Sequence, residues 1–130
     1  MKGDSILEYH LDYTPAKPGD QPFVDYDGHT WRDDPTTGER QEVYLEAKDG
    51  YRDHIVNCSE AEADVYLKRF IRQAKRQLDA IEQSGSSARL EWHFSDPDVA
   101  DSVREAFAAV GEQDAAVKNV LVYYTPKVRR

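Results

Sequence analysis

Apolar residues recur along this chain with two different periods. Leu67, Phe70, Ile71, Ala74, Leu78 and Ile81 each have another of the set three or four positions away, which places them on one face of a helix. Ser59 with Glu62 three residues later has the form of a capping box ahead of that stripe, and Gly85 follows it, so a long helix is predicted between them. Leu90, Trp92 and Phe94 then alternate with charged or polar neighbours, the period of a strand with one buried face. Ser95 or Asp96 caps a second helix with Pro97 in its first turn, Val99, Val103, Phe107 and Val110 line its core side, and Gly111 ends it. A last strand is predicted over 119–125, ahead of a basic tail from Lys127 to Arg130.

The first half is less regular. Residues 5–13 fit a short helix or a strand, and Pro15, Pro18, Gly19 and Pro22 make a loop. Residues 23–31 and 41–48 read as two strands, with Val43 and Leu45 alternating against polar neighbours. The turn formers from Asp33 to Glu39 lie between them, so the pair is a hairpin with a loose tip. The predicted order is a possible first helix, a hairpin, a long helix, a strand, a helix and a strand. Strands alternating with helices imply an α/β sandwich with a mixed sheet flanked by helices.

Length and composition add bounds to that picture. At 130 residues the chain fits a single domain, 1–130, with enough buried surface to fold without staples. Hydrophobic content is 39% and mean hydropathy −0.80, but two Trp, eight Tyr and four Phe supply bulky core material. Cys58 is the sole cysteine, which excludes an intramolecular disulfide and a cysteine-based zinc site. No apolar run approaches the ~20 residues of a membrane span, and no signal peptide follows Met1. The net charge of −8 opposes a nucleic-acid partner, yet it is uneven: residues 1–64 carry a net −10 and residues 65–130 a net +2. An acidic front half and a locally basic back half suit an enzyme that gathers metal on one side and grips phosphate with the other; an ordinary acidic soluble protein is the plainer alternative.

The hairpin carries the chemistry. With a turn near Thr37, Asp27 lies across from Glu46 and Ala47, and Glu46 and Lys48, two apart, share a face. Two carboxylates and an ammonium then converge. Such a set holds Mg²⁺ or Mn²⁺ and leaves coordination positions for water and phosphate, while the lysine stabilises developing negative charge. Asp27-Gly28 is equally a tight-turn signal, and a Glu-x-Lys strand is often a solvated face. Asp33 and Asp34 are alternative aspartates that would pair near residues 40 and 41, far from Glu46; Asp25 shares the face of Asp27 and is held in reserve.

Tyr26-Asp27-Gly28, the strand ending Val43-Tyr44-Leu45-Glu46-Ala47-Lys48, and Asp49-Gly50-Tyr51 together resemble the core of PD-(D/E)xK nucleases. More narrowly they resemble the restriction-endonuclease-fold toxin domains at the C-termini of bacterial polymorphic toxins. The stretches Leu90 to Phe94, Asp96 to Arg104 and Val122 to Pro126 extend the likeness over about residues 23 to 126. The resemblance implies a restriction-endonuclease-like α/β sandwich and a Mg²⁺-dependent endonuclease, on DNA more than RNA, with Asp27, Glu46 and Lys48 catalytic and the two carboxylates on the metal. It also implies a toxin secreted or delivered into the cytoplasm of target bacteria and blocked by a cognate immunity protein. Glu8 would supply an outer metal contact, and a Gln or basic residue of the long helix, where Gln73 and Gln77 lie, would approach the site. The longer-than-usual hairpin departs from the family pattern and bears on the choice of aspartate.

Other candidates have plain alternatives. Lys68, Arg72, Lys75 and Arg76 share a helix face that suits a phosphate backbone or simply water. Tyr51 and His54 follow the lysine and either touch phosphate or pack. Trp92 reads as core, and His10, His29, His54 and His93 lack ligand spacing. The rival from a different class is an acidic, non-catalytic binding domain such as an immunity or adaptor protein.

Overall fold

A computed structural model describes residues 9–15 and 17–127; Glu8, one of the proposed metal contacts, lies outside them. The elements are β1 (Tyr9–Asp12), β2 (Phe23–Tyr26), β3 (Gly28–Asp33), β4 (Arg40–Lys48), α1 (Arg52–Ile55), α2 (Glu60–Gln83), β5 (Arg89–Phe94), α3 (Pro97–Val110) and β6 (Leu121–Tyr124). A turn of 3-10 helix at Val117–Asn119 precedes β6. The main sheet has the order β3-β4-β5-β6, with β3 antiparallel to β4 and the other pairs parallel. Helix α2 connects β4 to β5 and α3 connects β5 to β6, as parallel strands require a crossover. This is the mixed sheet with flanking helices that the alternation predicts.

One open choice is resolved and four expectations are corrected. The described part of the first segment is a strand, β1, antiparallel to β2 in a separate two-stranded sheet. The single strand predicted over 23–31 is two strands broken at Asp27. A short helix, α1, follows the Glu-x-Lys strand, and β6 is shorter than predicted. Finally β5 is covered on both faces: Leu90, Trp92 and Phe94 are buried, and so is Glu91. Alternation reads Glu91 as solvent-facing because it cannot see Arg32 and His93, which close over it.

Helix α2 begins as its sequence signal predicts. Ser59 is extended and its hydroxyl accepts the Glu62 N–H at 3.2 Å. Gly85 ends the helix with a φ of +80°, a left-handed conformation suited to glycine. Asp96, not Ser95, caps α3, accepting from the N–H groups of Asp98 and Val99. The core lies between the helices and one face of the main sheet. Trp92, wholly buried, meets Phe70 of α2 and Phe107 of α3 edge-to-face, with centroids 5.6 and 5.4 Å apart.

Candidate active site

The break between β2 and β3 builds the site. Gly28 continues as strand rather than turning tightly, and a Cβ there would approach Leu45 Cδ1 at 3.2 Å. The register pairs Gly28 with Leu45, one step from the predicted pairing, which sets Asp27 beside Glu46. The Asp27 N–H donates to the Leu45 carbonyl at 2.9 Å. Beyond that point β2 leaves to pair with β1, and the edge of β4 would be unpaired. The Asp27 carboxylate fills the gap: its Oδ2 accepts the Ala47 N–H at 2.8 Å. One carboxylate oxygen thereby completes a backbone ladder, and the exposed carboxylate is fixed at the rim of β4.

Alternation along β4 turns Tyr44, Glu46 and Lys48 toward α2. Glu46 is only 7% exposed. Its Oε1 accepts from Gln77 Nε2 at 2.9 Å, and its Oε2 from Gln73 Nε2 at 3.1 Å and Lys48 Nζ at 3.1 Å. Lys48 also donates to Gln73 Oε1 at 2.7 Å, and its ammonium lies 5.1 Å from the ring centroids of both Phe70 and Trp92. The amide orientations are dictated by chemistry. Trp92 Nε1 can only donate, so Gln77 presents Oε1 to it at 2.9 Å and turns Nε2 to Glu46. Lys48, also donor-only, fixes Gln73 in the same way.

Burial raises the Glu46 pKa above the usual carboxylate range; Lys48 opposes that rise and the nearby Asp27 charge adds to it. Asp27, Glu46 and Lys48 together carry one net negative charge, with Glu46 buried and Asp27 exposed beside it. A divalent cation would relieve both the burial and the repulsion. Among the described residues no group of three or more His, Cys, Asp or Glu is placed to hold a metal, so the protein offers two carboxylates. That donor set fits an ion of the Mg²⁺ type, which keeps several waters and takes one or two carboxylates plus phosphate oxygens.

A cleft of about 260 Å³ opens at the same point, lined by Asp27, Gly28, Arg32, Leu45, Glu46, Ala47 and His93. It runs over the sheet face opposite the helices. A larger groove of about 420 Å³ beside Cys58, between α2 and α3, contains none of the site residues.

The other predicted residues fall elsewhere. Asp33 pairs with Arg40 at the far end of the hairpin, and Asp34 accepts from Thr36 and Thr37 N–H in the tip. Asp25 is bound to His10 at 2.6 Å. The basic face of α2 is largely neutralised. Lys68 pairs with Asp64, Lys75 with Asp114 and Arg76 with Asp20, at 2.9, 3.2 and 3.6 Å, while Arg72 stays exposed. The residues before Lys68 and the distant Asp20 and Asp114 supply acids that the run itself lacks. Tyr51 packs on Phe70, with centroids 5.1 Å apart, and His54 stacks on Tyr66 at 4.5 Å.

Sequence reading underrates Gln73 and Gln77 and misses the partnership of Arg32, Glu91 and His93. A signal exists for the first: Gln77 lies between Ala74 and Ile81 at core spacing, and a glutamine there is wholly buried, which requires polar partners. For the second, only the shared face of Glu91 and His93, two apart on β5, is visible in the sequence.

No helix among the described residues is long and apolar enough to cross a membrane. Neither curated proteins nor solved structures yield a match to this chain. Residues 17–97, a span holding Asp27, Glu46, Lys48, Gln73 and Gln77, match the model of the family described as restriction endonuclease fold toxin 5. The chain belongs to that family of restriction endonuclease fold toxins.

Proposed function

We propose that this protein is a metal-dependent endonuclease acting on DNA, used as an antibacterial toxin domain, with Asp27, Glu46 and Lys48 as its catalytic residues. The single observation that carries the reading is the Asp27 carboxylate, fixed on the Ala47 N–H at the strand break, next in the chain to the buried Glu46 that Lys48 and Gln73 hold. Family membership supports a nuclease toxin in general; the metal, the substrate and the setting are inferred from the donor set and the resemblance.

Asp27 and Glu46 would hold the cation, Mg²⁺ or Mn²⁺. When bound, it supplies charge neutralisation at the scissile phosphate and a water of lowered pKa. Glu46 must be ionised for this, and the amides of Gln73 and Gln77 keep its oxygens oriented without adding charge. Lys48 holds an ammonium beside the site, restrained by Gln73, and stabilises the negative charge that develops on phosphate oxygens. As a toxin the domain acts inside target bacteria after delivery, and its partner is a cognate immunity protein, with a basic surface suiting the acidic front half. The whole chain is read as one nuclease domain. Glu8 keeps the role of an outer contact to the metal in this proposal, and Lys68, Arg72, Lys75 and Arg76 keep only that of peripheral contacts to DNA.

The test is cleavage. Purified protein nicks plasmid in Mg²⁺ and stops in EDTA; retained cleavage by Glu46→Ala or Lys48→Ala overturns the assignment. The rival, a non-catalytic binding domain, draws on the net charge and on the fact that protein groups already bond both oxygens of Glu46. Growth arrest on expression in bacteria, relieved by Glu46→Ala, removes it.

A further inference from the structure

The sheet face opposite the helices carries a charged group that the catalytic reading leaves unused. Glu91 is buried to 3% exposure in the middle strand β5. Its Oε2 accepts from Arg32 Nη1 of β3, and its Oε1 from His93 Nε2 at 2.9 Å. His93 is held on its other side, Nδ1 to Thr125 Oγ1 at 2.8 Å. Burial pushes the Glu91 carboxyl up, but the hydrogen bonds from Arg32 and His93 together hold it below its ordinary value, so it remains a fixed anion.

A buried carboxylate is costly, and two apolar residues of similar volume would serve stability as well or better. What this one does is fix a guanidinium. Arg32 uses one N–H on Glu91; a guanidinium has five in a rigid fork that matches phosphate. The Arg32 side chain is 47% exposed, and its cleft runs to Asp27 at the strand break, while the Glu46 carboxylate faces α2 on the other side of the sheet. Five residues along an extended chain span about 16 Å between Asp27 and Arg32, so the arginine reaches beyond the reacting phosphate. The basic face of α2, by contrast, spends most of its charge on acids of its own chain.

We propose that Arg32, braced by buried Glu91 with His93, binds a backbone phosphate of DNA flanking the scissile one, and that the substrate crosses the β3 edge of the sheet at Asp27, from the face of Arg32 to that of Glu46 and Lys48. This inference rests on the nuclease reading above. Arg32 is then a binding residue and Glu91 a positioning residue; neither takes part in bond breaking.

The experiment is binding of a fluorescent DNA duplex to the full chain in EDTA, over a series of salt concentrations, alongside steady-state cleavage in Mg²⁺. Arg32→Gln is expected to weaken binding about tenfold and to reduce the salt slope by about one. It should raise KM with kcat within about twofold, as loss of uniform binding does. Arg32→Lys keeps the charge without the fork, so it should keep the salt slope while losing about threefold in affinity. Thermal unfolding reports whether each variant is folded. If Arg32→Gln lowers stability but leaves affinity and slope unchanged, or lowers kcat alone, the proposal is overturned. Wild-type protein that does not bind DNA overturns it too. Cleavage abolished by Glu46→Gln together with unchanged binding by Arg32→Gln would leave the nuclease reading standing and remove only this one. A reduced slope in protein that never cleaves would do the reverse.

Discussion

Glu46 and Glu91 lie on adjacent strands, within one position of each other in the register, and both are buried. They face opposite sides of the sheet and meet opposite surroundings. Glu46 is bonded by two neutral amides and one lysine, and its pKa is raised, by burial first. Glu91 is bonded by an arginine and a histidine, which outweigh burial and lower its pKa. Amides can orient a carboxylate without neutralising it; a guanidinium does both. The first arrangement is left wanting positive charge and suits a site that receives a cation. The second is already satisfied and suits a fixed support.

The largest effect expected from breaking this contrast is on cleavage. Glu46→Gln and Lys48→Ala should each lower the plasmid-nicking rate by at least about a hundred- to thousandfold, the size of loss seen when one charge-stabilising group is removed. Glu91→Gln should lose far less, because it supports a group outside the reacting atoms. Equal losses in all three would mean that the two glutamates do not differ in role.

A stability effect comes next. Gln77→Ala leaves the Trp92 N–H and one Glu46 oxygen without partners in a dry place, which costs about 1–3 kcal/mol for each buried group left unsatisfied. Urea unfolding measures it, and a loss below about 0.5 kcal/mol would show that water replaces the amide.

The pH dependence separates the two carboxylates by sign. The raised Glu46 pKa means the folded state takes its proton more readily than the unfolded chain does. Wild type should therefore gain stability relative to Glu46→Gln as pH falls from neutral through that raised value. The lowered Glu91 pKa stabilises the fold above the ordinary 4.5, and that contribution disappears as pH falls through the depressed folded value. Urea unfolding of wild type, Glu46→Gln and Glu91→Gln at stepped pH from neutral to acid checks both. Parallel curves for the two variants would contradict the contrast.

The smallest effect is expected on the helix face. Lys68 and Asp64 are both exposed, and such a pair contributes about 0–1 kcal/mol. Lys68→Ala should shift stability within that range and change DNA affinity less than about twofold; a tenfold weakening in the binding titration would restore α2 as the principal phosphate contact.

Much of this site is legible along the chain. The helical stripe, the caps at Ser59 and Asp96, and the Glu-x-Lys strand follow from local periodicity and hydrogen-bonding capacity, which act between near neighbours. Counting across the hairpin selects Asp27 over Asp33 and Asp34, since antiparallel register is arithmetic once the turn is located. The single-residue offset in that register and the strand break at Asp27 escape it. They depend on how closely Gly28 approaches Leu45 and on where β2 finds its partner in β1.

The sequence by itself therefore determined the element order from the long helix onward, the mixed α/β class and the two side chains, Glu46 and Lys48, that share a face. Only the tertiary structure decided which charges remain uncompensated. Asp20 and Asp114 neutralise two cations of α2 from far along the chain, Arg32 and His93 close over Glu91, and Gln73 and Gln77 meet Glu46 from another element. Charge compensation is a property of distance in space, and residues tens of positions apart acquire it only when the sheet and helices bring them together.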